Sequence, residues 1–427
     1  MKELSKLILE DMKPALGVTE PGAIAFAVAK ARSYVEGAPI CVNVALNSGM
    51  YKNAFTCGIP NSPEVGNVFA AALGVVAGNA DKGLEALADV EPEDNDKARK
   101  LVEEGKVTVA LCGITSRIFI DAAVKTELGE AVVTIRDSHT NITKIIVNGK
   151  VEFASEDEKK EESERTEEAA VIHQYTLQQL YDYSKSVDIK EIEFIKEAYK
   201  VNLELFEEGL HHPRTTFTKY LLKKNKGKII SDCEQTTASL LCNAAIEARV
   251  IGLDKPAMSI TGSGAHGIIA TMPLYGAYKV NGYTEEELLR ATALSYLICM
   301  YIKEYSGKLS AFCGCAIAAG TGMACGLVYL RGGTVEIMEH TIQNIASSIT
   351  GMICDGGNQG CTMKGIAAVD AAYQSVDLAM NGVSVDKVHG INGKTPEETM
   401  KHMGLIASPG MIGTEKTIVE IFENKMK

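Results

Sequence analysis

Five cysteines crowd residues 313–361: Cys313, Cys315 and Cys325 in or beside an uncharged run, and Cys354 and Cys361 on either side of a glycine-rich turn, CDGGNQGC. A buried thiol is ordinarily a small core filler. The glycine turn argues for more, because it brings backbone N–H groups close to whatever lies between the thiols. A helix beginning at Cys361 would add its N-terminal partial positive charge, which stabilises an anionic thiolate centre. Zinc sites gather cysteines in close pairs, and the spacings C-x-C and C-x6-C fit that pattern poorly. Iron–sulfur clusters accept more varied spacing. If three thiolates held a four-iron cluster, one iron would lack a protein ligand and act as a Lewis acid towards a leaving thiol or hydroxyl.

A second set of residues suits a small zwitterionic ligand. The segment TGSGAHG (261–267) satisfies G-x-G-x-x-G but lacks the flanking parallel strands of a dinucleotide site. It reads better as a helix N-terminus whose free N–H groups hold a carboxylate, with Ser263 and Gly264 at the start and His266 able to titrate near neutral pH. Three further polar clusters lie in the first 150 residues: Asn47, Ser48, Lys52 and Asn53 after a strand; His139, Thr140 and Asn141 between two strands; and Thr19-Glu20-Pro21 at a helix start, with Pro at the first helical position. Each also has a structural use in capping, turn formation or a surface face.

The elements that must position these groups divide the chain in two. Ala-rich helical patterns at 21–35 and 63–79 alternate with strand-like runs at 41–47, 107–112, 131–137 and 142–148. Asn148-Gly149 between two such runs predicts a hairpin. From residue 175 onward the spacing is helical almost throughout, with Thr284 and Glu287 forming a capping box. The expected fold is an α+β N-terminal domain with an antiparallel sheet over 1–165, followed by an all-helical C-terminal domain over 166–427. The charged run 154–168, a solvated helix or linker, marks the boundary. Residues 311–330 carry no charge, but their Gly, Ala, Cys and Thr content suits a central helix that neighbours approach closely, rather than a membrane span.

Bulk composition excludes some functions. A net charge of -12 repels nucleic-acid backbones, and the absence of Trp removes a base-stacking platform. The N-terminal MKELSKLILEDMK is no signal peptide, so a cytoplasmic setting with reduced thiols is expected. A homo-oligomer is left open.

Taken in order, KPALG-x-TEP, MYKN, SHTNI, GSG-x-x-G, C-x-C-AIAAGTG and GMICDG…GC resemble the L-cysteine desulfidases, relatives of the alpha chain of iron–sulfur L-serine dehydratases. The resemblance implies elimination of sulfide or water from cysteine or serine, giving pyruvate and ammonia. It also implies an oxygen-sensitive 4Fe–4S cluster with one open iron, lost on handling in air, and held by Cys315, Cys354 and Cys361. Cys313 is the less suitable substitute for Cys315. The family has a cysteine, taken as the base, where this chain has Val18, and valine cannot move a proton. His266, His139, Lys52 and Glu20 are the remaining candidates, with Cys57 a thiol in the same domain. The substrate would be a small amino acid held by Thr19, Asn47, Ser48, Lys52, Asn53, His139, Thr140, Asn141, Ser263, Gly264 and His266, its carboxylate at Gly262–Gly267 and the Asn47–Asn53 segment. The expected function is an L-cysteine desulfidase. The alternatives are an L-serine-type dehydratase, a pyridoxal-phosphate eliminase, or a homologue that binds a metal or ligand without catalysis.

Overall fold

The computed structural model describes residues 2–156, 170–307 and 309–425. The charged boundary run lies almost wholly outside the described residues. A helix, Lys2–Asp11, leads into β1 (Lys13–Leu16) and the helix Thr19–Arg32. Then come β2 (Pro39–Asn47), the short helix Ser48–Ala54, the helices Gly66–Ala77 and Pro92–Glu103, and five strands: β3 (Val107–Gly113), β4 (Phe119–Thr126), β5 (Glu130–Arg136), β6 (Ile142–Val147) and β7 (Lys150–Ala154).

The six strands β2–β7 form one sheet in the order β3-β2-β4-β5-β6-β7. It is antiparallel except for β2 and β3, which run parallel. That pair departs from the expected all-antiparallel sheet for a topological reason: three helices connect β2 to β3, and a crossover of that length returns the chain in the same direction. The Asn148-Gly149 turn joins β6 to β7, both residues at positive φ as a type I′ hairpin requires. The helix Thr19–Arg32 is buried along nearly its whole length. Small residues make that possible: a side chain at Gly74 would stand 2.8 Å from the backbone of Ala25.

After residue 170 the described chain is helical but for β8 (Pro256–Ser259), which pairs antiparallel with β1. This strand corrects the all-helical expectation. It also ties Lys13–Leu16 to the C-terminal part, and the hydrophobic core runs without a break through both parts. The helices Glu234–Val250, Gly264–Asn281 and Glu285–Ser306 are buried on almost every side. The Thr284–Glu287 capping box opens the last of them as expected.

The uncharged run forms a π-turn, Cys315–Ala319, followed by the buried helix Gly320–Leu330. A side chain at Gly322 would lie 2.2 Å from the carbonyl of Ser295, so the small residues do allow close backbone approach. Among the described residues, no helix is long and apolar enough to cross a membrane.

Candidate active site

Two short segments bring Cys315 and Cys354 together. An isolated antiparallel bridge joins Phe312 to Ile353. Around it the Cys313 N–H donates to Met352 O at 3.0 Å and the Cys354 N–H to Ala311 O at 2.6 Å. Past Cys354 the chain turns through Asp355–Asn358 against the helix Ser48–Ala54. Gly356 has φ +99°, and a side chain there would meet Lys52 O at 2.5 Å. A side chain at Gly357 would stand 2.7 Å from Val18 Cγ1, and the Gly357 N–H donates to Asn53 O at 3.0 Å. The turn is therefore glycine-rich because Val18 and Asn53 roof it.

Asn358 Oδ1 accepts from the Gly360 N–H at 2.7 Å and opens the helix Gly360–Met380, so Cys361 falls in its first turn. The Cys361 thiol approaches Gly356 O at 3.5 Å and the Cys354 thiol approaches Asn53 Oδ1 at 3.8 Å. An ion pair between Asp355 and Lys364 braces the turn.

The thiols of Cys315, Cys354 and Cys361 are half-buried and feel one another's charge. Burial, then the charges of Cys315 and Cys354, push Cys361 up to about 12. Cys315 is held well below the usual thiol range by a hydrogen bond with Cys313, against the cost of burial, with help from His266 and Arg249. Cys313 is pushed up correspondingly. Cys325 lies fully buried in its helix, raised to about 12 by burial alone, as a core filler would be. Among the described residues, no three His, Cys, Asp or Glu side chains close around a single metal ion. All eleven cysteines are unpaired.

The N-terminal residues split into two groups. Glu20 is buried, accepts from Asn53 Nδ2 at 2.9 Å and from the Thr19 hydroxyl at 3.0 Å, and lies 3.6 Å from His139 Nε2. Burial raises its carboxyl, but His139, Asn53 and the charge of Arg249 outweigh that and hold it at about 2. His139 in turn packs against Gly262, where a side chain would meet its Nδ1 at 3.5 Å. Glu20, Asn53, His139 and the 261–266 turn are thus brought together with the cysteine turn.

His266 Nδ1 is 2.5 Å from the Thr261 hydroxyl, and its Nε2 occupies space that a side chain at Gly314 would take, next to Cys315. Gly264 begins the helix Gly264–Asn281, as expected for the GSG turn, and the Ser263 hydroxyl makes no capping bond.

The other residues are spent elsewhere. Asn47 donates to Thr115 O at 2.9 Å and accepts from the Phe119 N–H at 3.0 Å, and Ser48 also bonds Thr115. Both shape the loop before β4. Thr140 and Asn141 face outwards, with Asn141 bonded to Arg136 O. Lys52 is fully buried, and its Nζ donates to Ser310 O at 2.9 Å, Cys354 O at 3.0 Å and Glu415 Oε2 at 2.8 Å. Burial opposes its charge, but Cys354 and Glu415 raise its pKa. A protonated amine with three partners is no free base. Cys57 is fully buried and its thiol is pushed up by that burial.

Sequence reasoning missed Arg249. It lies in the last turn of the helix Glu234–Val250, only 3% exposed, and its Nε has no hydrogen-bond partner among the described residues. In the sequence it reads as a basic residue near a helix C-terminus, an unremarkable complement to the helix dipole. Its charge reaches both Glu20 and Cys315.

Comparison with known proteins supplies the context for this geometry. The family model of the serine dehydratase alpha chain matches residues 81–420. A UPF0597 protein of Clostridium botulinum is 39% identical over 424 residues, covering 99% of this chain and 98% of the relative. A UPF0597 protein of Caldanaerobacter subterraneus subsp. tengcongensis is 38% identical over 422 residues, with coverage of 99% and 98%. One from Clostridioides difficile is 32% identical over 424 residues, covering 99% of each chain.

Proposed function

The chain belongs to the serine dehydratase alpha chain family, and from that premise we propose that it is a lyase eliminating the β-substituent of a small amino acid, with sulfide leaving L-cysteine. The observation that carries this reading is the glycine turn that bears Cys354 and Cys361, roofed by Val18 and Asn53, with Cys315 near enough for its charge to act on Cys361, and Glu20 and His139 beside it.

The donor set fits a 4Fe–4S cluster. Three half-buried thiols that feel one another's charge lie near Lys52, Lys364 and Arg249, a cationic surrounding that suits a group bound through anionic sulfur. A four-iron cluster is several atoms across, so its ligands need not close on one point as they would for a single ion. When bound, it supplies a Lewis-acidic iron with an open position for the substrate's thiol or hydroxyl.

The chain's own groups do the rest. N–H groups at the start of the helix Gly264–Asn281, with the Ser263 hydroxyl beside them, receive the α-carboxylate. Glu20 remains anionic at neutral pH and stands 3.6 Å from His139 Nε2, close enough to stabilise an imidazolium but too far for a hydrogen bond, and Nδ1, on the side of Gly262, is the atom that accepts the proton. His139 takes the α-proton, the C–H electron pair forms the Cα–Cβ double bond, and the Cβ–S bond breaks with its pair going to sulfur. The aminoacrylate so formed tautomerises to an imine, which water hydrolyses to pyruvate and ammonia. Lys52 holds the Cys354 carbonyl in place and takes no part in proton transfer. Eleven unpaired cysteines suit a reducing compartment such as the cytoplasm.

A second reading, L-serine as substrate with water leaving, is favoured by the description of the matching family. A third, ligand binding without turnover, draws on Val18, whose side chain faces the turn where the desulfidases carry their basic cysteine.

The test is an anaerobic preparation assayed for iron, visible absorbance, sulfide and pyruvate with L-cysteine and L-serine side by side. The native chain should be coloured and should release pyruvate, with sulfide from cysteine. Cys354→Ser should abolish both colour and turnover. A colourless variant with full turnover refutes the proposal, and pyruvate from serine alone selects the second reading.

A further inference from the structure

Arg249 is a buried guanidinium whose Nε lacks a hydrogen-bond partner among the described residues. Glu20 and Cys315 lie within reach of its charge, but neither meets the Nε donor, and a buried donor left unpaired favours a further acceptor, best of all an anionic one. The direction it faces is set by Gly264: a side chain there would stand 2.8 Å from Arg249 Nε and 3.2 Å from its Cδ. The guanidinium stem therefore runs alongside the first residue of an 18-residue helix, where N–H groups have no intrahelical acceptor and the helix dipole favours negative charge. Two independent features, a donor-rich helix start and a buried cation aimed at it, address the same point. Ser263 adds a hydroxyl with no capping bond at that point. Glu20 and His139, placed over Gly262, lie on the adjoining side.

We infer that Arg249, together with the start of the helix Gly264–Asn281, forms the anchor for the substrate's free α-carboxylate. The site is thereby selective for uncapped amino acids over their amides and decarboxylated amines. The identity of the ligand as an amino acid rests on the lyase reading; the anion site itself rests on Arg249 and the helix. A planar guanidinium can hold a carboxylate through two parallel N–H···O bonds, which a lysine cannot reproduce.

The experiment uses the anaerobically purified protein and L-alanine as probe, because L-alanine has the carboxylate and amine but no β-leaving group to lose. Calorimetry should show that the native chain binds L-alanine about 100-fold more tightly than L-alaninamide. Arg249→Gln should weaken L-alanine about 100-fold and Arg249→Lys about 10-fold, both leaving the weak amide binding unchanged.

Equal affinity of the native chain for acid and amide overturns the inference, as does failure to bind L-alanine. So does an Arg249→Gln variant, folded by circular dichroism, that binds L-alanine like the native chain. Should that variant not fold, the acid–amide comparison on the native chain decides alone. Sulfide and pyruvate release, measured on the same preparation, separates the two proposals. Acid-selective binding without turnover sinks the lyase reading and upholds the anchor; turnover without discrimination does the reverse.

Discussion

The Lys52–Glu415 pair offers a sharp test of how the site is held. Its side chains are 0% and 6% exposed and 2.8 Å apart. At that distance and an effective dielectric of about 20, the attraction is about 6 kcal/mol. Lys52 also donates to Ser310 O and Cys354 O, so removing Glu415 leaves an ammonium that is partly solvated by carbonyls but has lost its counter-charge. Glu415→Ala should therefore cost about 3–5 kcal/mol, and Lys52→Met a similar amount, since it strands a buried carboxylate and two carbonyls. Replacing both at once, Lys52→Met with Glu415→Leu, removes both charges and should cost at least about 2 kcal/mol less than the two single losses added together. Urea unfolding followed by far-ultraviolet circular dichroism is the suitable assay, because the chain has no Trp to report by fluorescence. Single losses that add to within about 0.5 kcal/mol in the double variant would refute the reasoning, since the pair would then contribute nothing as a pair.

Three further outcomes are expected. Glu20, held at about 2 in the fold against 4.5 for an unperturbed glutamate, contributes about 3 kcal/mol that is fully present above pH 4.5 and disappears as pH falls through about 2. The native chain should therefore lose stability on acidification more steeply than Glu20→Gln, and parallel pH profiles would contradict the assignment. Gly322→Ala should cost about 1–3 kcal/mol, because its new methyl would press on Ser295 O, whereas Gly320→Ala, with nothing nearer than Ala368 Cβ at 3.7 Å, should melt close to the native temperature. Val18→Cys places a thiol against the Gly357 turn and should raise sulfide release from L-cysteine at least about 10-fold; no increase would mean that position 18 does not serve as the base position in this chain.

Much of the local structure was legible from short-range signals. Gly264 and Gly360 start helices where the GSG turn and the Cys361 spacing put them, and Thr284–Glu287 caps its helix. β4 escaped because FIDAAVKT carries Asp121 and two alanines, residues poor in strand propensity, and its alternation shows only once both neighbours are in place. The parallel β2–β3 pairing and the β1–β8 ribbon depend on partners 60 or more residues away, which no local pattern specifies. For the candidate site, Glu20, His139 and Asn53 come together beside the cysteine turn, while the polar atoms of Asn47, Ser48 and Lys52 are bonded to Thr115, Phe119, Ser310, Cys354 and Glu415, partners that residue type alone does not reveal. Arg249 was invisible because its significance lies in what it lacks, a partner, and a sequence does not display that.

The roof over the cysteine turn comes from residues 18 and 52–53, upstream of the stretch where the family match begins at residue 81. Asn53 and Cys354, which it covers, are 301 positions apart in the chain, so a substitution near the N-terminus can change the surroundings of the thiols without touching the segments that carry them.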